Sequence, residues 1–335
     1  MQTLKGTGGT NRFRWQPHTL ILVLTAAVFL ATCGGRGARS AVSPTPAGDY
    51  SDSMTVGALE RTYLLHIPTG YTAARAWPLV ILLHGGGGTG KEMMTHTRGG
   101  MNALADQEGF IVAYPDGIDK QWNDGRQLDQ VRAMRENIDD VGFLSALIDR
   151  LIDTRNVDSH RVYAAGISNG GMMTERIACE LTGKLAAIGI VAAPLSLELS
   201  TTCKPTGPIP VVLMAGVADP LVPYGGGEIK LLNIERGQGL SIPDTIRFWT
   251  TNAGCAGAPT ILDLPDTDPK DGTRVRRETY DSCRAQSAVI LYTITGGGHT
   301  WPGGAQYLPE AIVGKVSRDM DANLVLWEFF KRFER

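Results

Sequence analysis

Gly166-Ile-Ser-Asn-Gly170 places a serine between two glycines, directly after the apolar run Arg161–Ala165 and ahead of a helical stretch from Gly170 to Leu181. In a G-x-S-x-G elbow the serine takes a strained turn, and the glycines let strand and helix approach closely. Ser168 is thus the candidate nucleophile, at a helix N-terminus whose dipole favours developing negative charge. A hydroxyl becomes nucleophilic only when a base removes its proton, and that base needs an orienting acid. Of six histidines (18, 66, 84, 96, 160 and 299), only His299 follows Ser168, in Gly-Gly-Gly-His-Thr-Trp-Pro after the last apolar run. For a chain ordered serine, acid, histidine, the acid should follow the intervening strand. Asp219, just beyond Val211–Ala215 and stiffened by Pro220, fits that place. Asp244, Asp263 and Asp266 fall in polar loop or hairpin contexts.

A second glycine-rich stretch, Leu82-Leu-His-Gly-Gly-Gly-Gly-Thr-Gly-Lys-Glu92, comes close to a phosphate-binding loop. Such a loop needs Ser or Thr after its lysine to hold magnesium, and here Glu92 stands there. The alternative anion is a tetrahedral reaction intermediate. Glycines after this strand let a main-chain N–H reach the oxyanion unobstructed. Gly86 is the first choice of donor and Gly85 the second, paired with the N–H of Asn169, each donor contributing about 3 kcal/mol to the transition state.

These residues must be carried to one place by the rest of the chain. Pro78–His84 and Phe110–Gly117 are continuous apolar runs, as strands buried on both faces require, and Arg61–Pro68 reads as an edge strand. Asp139–Val157 has helical spacing at Val141, Leu144, Leu147, Ile148 and Leu151, and Asp321–Phe333 forms a closing amphipathic helix. Ala186–Pro194, Ile209–Gly216 and Ser287–Gly298 supply further strands. Strands alternating with helices predict an α/β domain with a mostly parallel central sheet and helices on both faces, a single catalytic domain over residues 54–335.

Residues 1–33 read as an export signal. Lys5, Arg12 and Arg14 precede the apolar stretch Leu20–Thr32, which is short for a membrane span. Leu30-Ala-Thr-Cys33 resembles a lipobox, making Cys33 the candidate lipidation site and a lipid anchor the expected membrane contact. Residues 34–53, rich in Gly, Ser and Pro, read as a flexible linker. Without Cys33, four cysteines remain, an even number suited to an oxidising compartment. Of three connectivities we favour Cys179–Cys203 and Cys255–Cys283, which close local loops worth about 3 kcal/mol each. With no C-x-x-C spacing, neither metal nor cofactor is expected. A formal net charge of −2 argues against nucleic acid as a partner. The expected state is a monomer acting on an ester.

Arg61-Thr-Tyr-Leu-Leu-His-Ile-Pro, Leu-Leu-His-Gly-Gly-Gly-Gly, Gln121-Trp-Asn-Asp-Gly-Arg126, Asp-Asp-Val-Gly-Phe-Leu, the elbow, Gly216-Val-Ala-Asp-Pro-Leu-Val-Pro-Tyr and the His299 loop occur in an order that resembles the esterase/polyhydroxybutyrate-depolymerase family, which includes feruloyl and acetyl xylan esterases. The resemblance covers about Met54 to the C-terminus. It implies an α/β-hydrolase fold, the triad Ser168, Asp219 and His299, the Cys255–Cys283 disulfide and hydrolysis through an acyl-enzyme. Implied substrates are feruloyl or acetyl esters on plant polysaccharides, or hydroxyalkanoate oligomers and polyesters. Many relatives have cysteine where Gly86 stands, so a disulfide there is absent. The same triad would serve an acyltransferase, or persist unused in a ligand-binding lipoprotein. Trp122 and Trp301 are candidate substrate platforms, since indole faces pack on sugars and phenolic rings. Asp139 and Asp140 read as helix caps, and Asp266–Gly272 as a polar turn.

Overall fold

A computed structural model describes Arg12, residues 46–231 and residues 234–335. The export signal and Cys33 lie outside the described residues. An edge hairpin, β1 (Gly48–Val56) and β2 (Leu59–Ile67), leads into β3 (Trp77–Leu83). Two helices, α1 (Gly90–His96) and α2 (Gly100–Glu108), precede β4 (Ile111–Pro115). The chain continues through α3 (Arg132–Arg135) and α4 (Asp140–Arg155) to β5 (Val157–Ile167) and α5 (Asn169–Glu180). Next come β6 (Ala187–Val191), α6 (Leu197–Thr202) and β7 (Val211–Gly216). A separate antiparallel pair, β8 (Gly227–Leu231) and β9 (Ile234–Gly239), is followed by α7 (Ile242–Ala253). The remainder is β10 (Thr260–Asp263), β11 (Arg274–Tyr280), β12 (Val289–Thr295), α8 (Glu310–Val313) and α9 (Ala322–Phe330).

The large sheet runs β1-β2-β4-β3-β5-β6-β7-β12-β11-β10. Its centre, β4 to β12, is parallel, and both flanks are antiparallel. This is the predicted α/β architecture. Period-two alternation explains why the central strands are apolar throughout. On β3, Leu79, Ile81 and Leu83 join one core with α4, α5 and α7, while Val80 and Leu82 join another with α1, α2 and α9. β7 divides likewise, Val211 and Leu213 on one side, Val212 and Met214 on the other.

Glu92, which broke the phosphate-loop pattern, lies in the first turn of α1 and is capped by Thr89 instead. The Thr89 hydroxyl accepts the Glu92 N–H at 3.2 Å and donates to its carboxylate at 3.1 Å. Both expected disulfides form. Cys179–Cys203 joins the end of α5 to the end of α6, and Cys255–Cys283 joins the end of α7 to the turn after β11.

Two expectations need correction here, and one element was missed. The linker assigned to 34–53 overlaps β1, because Gly48 to Ser53 pair with β2 from Ile67 to Thr62. Asp139 caps α4 by accepting the Gly142 N–H at 2.7 Å, but Asp140 is no cap. It is buried and bonded to Arg61 at 2.6 Å, across 79 positions of chain. The β8–β9 pair was not anticipated at all.

Candidate active site

Ser168 sits between β5 and α5 with φ 57° and ψ −124°, a conformation that costs a non-glycine residue on the order of 1–3 kcal/mol. The surroundings hold it there. Its N–H donates to Val191 O on β6 at 2.9 Å, and its carbonyl accepts the Met172 N–H at 2.9 Å. A Cβ on Gly170 would collide with the carbonyl oxygens of Leu83 and His84, and one on Gly171 would lie 2.7 Å from Ala193 Cβ. Gly170 and Gly171 therefore occupy spaces that the end of β3 and the chain after β6 already fill.

Asp219 follows β7 and turns its carboxylate back on its own loop. Oδ1 accepts the N–H groups of Leu221 and Val222, each at 2.8 Å, and Oδ2 accepts from His299 Nδ1 at 2.7 Å. Both side chains are almost wholly buried. The His299 loop is fixed at three points: Ala218 N–H donates to Gly297 O at 3.0 Å, His299 N–H to Val313 O at 2.6 Å, and the Tyr307 hydroxyl to His299 O at 3.0 Å. With Nδ1–H committed to Asp219, Nε2 is the ring nitrogen left to accept a proton. Among the described residues neither Nε2 nor the Ser168 hydroxyl has a hydrogen-bond partner, and both residues line one cleft of about 680 Å³.

Gly85, Gly86 and Asn169 line the same cleft. An added Cβ on Gly85 would stand 3.5 Å from Ser168 Cβ, so this loop lies directly beside the elbow. Gly87 N–H donates to Lys120 O at 2.8 Å and Gly88 N–H to Gly85 O at 3.0 Å, whereas among the described residues the Gly86 N–H has no such bond. His84 positions the loop from beneath. Its Nδ1 donates to Gly85 O at 2.8 Å while Nε2 accepts the Gly117 N–H at 3.0 Å, which requires the neutral ring. Burial pushes the His84 pKa down, in agreement. Gln121 closes over Gly86, where a Cβ would come within 2.9 Å of its side-chain oxygen.

Neither tryptophan is a platform. Trp122 is fully buried, donates Nε1–H to His84 O at 3.0 Å and packs against the His84 ring. Trp301 is equally buried and donates Nε1–H to Asn323 Oδ1 at 3.1 Å. Their indole faces are spent inside the protein, so no sugar or phenolic ring can reach them.

Residue types alone did not reveal four of the positioning groups: His84, Gln121, Asp124 and Tyr307. Asp124 is buried, paired with Arg126 at 2.6 Å, and accepts from Asn169 Nδ2 at 2.6 Å. The Gln121–Arg126 block carried the available signal, since two of its polar residues, Asp124 and Arg126, prove to be partners. On α5, Glu175 is fully buried, and one oxygen accepts from Trp249 Nε1 at 3.1 Å while the other has no partner. Burial, aided by the Asp124 charge, raises its pKa well above the usual carboxylate value.

Residues 61–201 match the family model described as esterase PHB depolymerase. NocK of Nocardia uniformis subsp. tsuyamanensis, named as an esterase, is 34% identical over 80% of this chain and 78% of its own. Feruloyl esterase B of Piromyces equi is 30% identical over 71% of this chain, which spans 42% of that longer protein. Among solved structures, an acetyl xylan esterase from Aspergillus awamori superposes with a TM-score of 0.52 at 16% identity, covering 75% of this chain and 94% of that one. The fold is thus that of the α/β-hydrolases, and the chain belongs to the esterase/PHB-depolymerase family of carboxylic ester hydrolases.

Proposed function

We propose that the protein cleaves esters through a covalent acyl-serine, with Ser168 as nucleophile, His299 as base and Asp219 as its orienting acid. Ser168 Oγ attacks the ester carbonyl while its proton passes to His299 Nε2. The Asp219 carboxylate holds the imidazole by Nδ1 and stabilises the imidazolium that forms. The tetrahedral oxygen lies between the N–H groups of Gly86 and Asn169, with Gly85 the second choice for the first donor. Collapse expels the alcohol, which takes the proton from His299. A water deprotonated by the same nitrogen then attacks the acyl-serine, releasing the acid and restoring Ser168. The observation that carries this reading is the 2.7 Å bond from His299 to Asp219 at the wall of the cleft that Ser168 shares.

The favoured substrates are feruloyl- or acetyl-type esters of plant polysaccharides, with hydroxyalkanoate oligomers or polyesters as the second class. The names of the relatives support the first. Residues 1–33 act as an export leader, with Cys33 as the acylated residue anchoring the domain to the cell envelope. Hydrolysis of methyl ferulate, p-nitrophenyl acetate, acetylated xylan and hydroxybutyrate oligomers tests the substrate class. Labelling by a fluorophosphonate, abolished by Ser168→Ala, tests the nucleophile. Turnover by Ser168→Ala within tenfold of the parent would overturn the mechanism, since removing such a nucleophile costs roughly 10³- to 10⁶-fold.

A further inference from the structure

The β8–β9 pair reaches over the cleft, and three cations from it and from its support line the cavity: Arg126, Lys230 and Arg236. Two of them are neutralised. Arg126 donates through Nε and Nη2 to Asp124, and Lys230 lies 2.6 Å from Glu228. Arg236 differs. Among the described residues no carboxylate lies within salt-bridge distance of its guanidinium, and its Nε is buried with no hydrogen-bond partner. A guanidinium that lines the cleft with no carboxylate partner of its own can take one from a bound ligand through its terminal nitrogens.

Its position is fixed by bonds that do not use its side chain. Arg126 donates to the Arg236 carbonyl, Gln130 Nε2 to the Glu235 carbonyl at 3.0 Å, and the Lys230 N–H to Leu221 O at 3.1 Å. Gly237, at φ 87°, lets the strand lie on the Arg126 side chain, where a Cβ would stand 3.1 Å from Arg126 Cδ. Leu221 is also the residue whose N–H holds Asp219, so the hairpin is tied to the loop that carries the acid. One further anion, Glu92, lines the cleft, but it belongs to α1 and receives the Thr89 hydroxyl.

We propose that Arg236 is a specificity-determining residue that receives a carboxylate carried by the substrate, so that anionic esters are preferred over neutral ones of the same size. The planar fork of a guanidinium matches a carboxylate with two parallel N–H bonds, and the half-buried setting strengthens them. The carboxylate belongs either to the alcohol, as in an ester of an acidic sugar, or to the acyl group, as in a dicarboxylic half-ester. This inference rests on the esterase reading above.

Matched pairs separate the two sources. 4-Acetoxybenzoate against 4-acetoxybenzamide places the charge on the alcohol side, and mono-p-nitrophenyl glutarate against p-nitrophenyl pentanoate places it on the acyl side. The ratio of kcat/KM within each pair is compared for the parent, Arg236→Met and Arg236→Lys. The parent should prefer the charged member of at least one pair. Arg236→Met should lower that ratio about 10- to 100-fold, and Arg236→Lys should retain part of it. Raising ionic strength should erode the parent's ratio but not that of Arg236→Met. Calorimetric binding of the same compounds to Ser168→Ala protein reads the preference without turnover, so failure of the chemistry is distinguishable from failure of the subsite. Equal ratios in parent and Arg236→Met, by turnover and by binding, would overturn the proposal while leaving the esterase reading intact.

Discussion

Asn169 holds Trp122 by both ends of its side-chain amide: Oδ1 accepts the Trp122 N–H at 2.9 Å and Nδ2 donates to the Trp122 carbonyl at 3.1 Å. The residue beside Ser168 therefore pins the segment that brings Gln121 over Gly86. Its side chain assembles one wall of the cleft that Asn169 itself lines. Asn169→Ala should leave the Trp122 N–H and C=O unpaired, lowering stability by about 2–4 kcal/mol and turnover by about 10- to 100-fold. Urea unfolding and steady-state kinetics on one preparation check both.

Trp122→Phe distinguishes a packing tryptophan from a substrate platform. The indole N–H to His84 O is lost at a fully buried position, so unfolding free energy should fall by about 1–3 kcal/mol. KM should change by the same factor for methyl ferulate and for p-nitrophenyl acetate. A KM increase confined to the aromatic acyl ester would restore the platform reading.

Asp219→Asn keeps the size of the side chain but offers an amide where His299 Nδ1–H needs an acceptor. The imidazole is then held in the wrong tautomer or loosened, and kcat should drop by roughly 10³- to 10⁴-fold with the fold retained. A loss below tenfold in a stopped assay at pH 8 would remove Asp219 from the triad.

Two buried groups give opposite dependences of stability on pH. His84 has a lowered pKa, chiefly from burial, so the unfolded chain gains a proton below the ordinary 6.5 that the folded chain resists. Stability therefore declines as pH falls through that value. Glu175 has a raised pKa, again chiefly from burial, so above the ordinary 4.5 the unfolded chain releases a proton that the folded chain keeps. Its contribution therefore worsens as pH rises. Glu175→Gln should raise Tm by a few degrees at pH 8, with the gain vanishing towards pH 4, as scanning calorimetry at the two values would read out.

Much of this was legible before any coordinates, for identifiable reasons. Strands buried on both faces are apolar at every position, so Pro78–His84 and Val211–Ala215 declare themselves. Ser168 is marked by glycines that β3 and the chain after β6 make compulsory, and His299 stands alone in the C-terminal half. What stayed hidden depends on partners far along the chain or on which way a side chain points. Asp140 meets Arg61 across the fold, and no local pattern distinguishes that from a helix cap. Trp122 and Trp301 have the residue type of a binding surface but face inward. The β8–β9 hairpin is glycine-rich and mostly polar, with Ile229 its one buried hydrophobic residue among those described, so neither period stands out.

The attachment of that hairpin has a consequence for how such an enzyme can diverge. Three of its ties to the body end on backbone carbonyls of Arg236, Glu235 and Leu221, and a further one is the bridge between Gly239 and Ser196. Replacing its outward side chains leaves every tie in place. The elbow and the end of β3, by contrast, interlock through the missing β-carbon of Gly170 and cannot drift independently. On the proposed reading, selectivity is thereby modular while the reaction centre is not, and a laboratory seeking new acyl preferences should randomise the outward residues of 228–236, sparing Ile229, before touching anything near Gly166–Gly171.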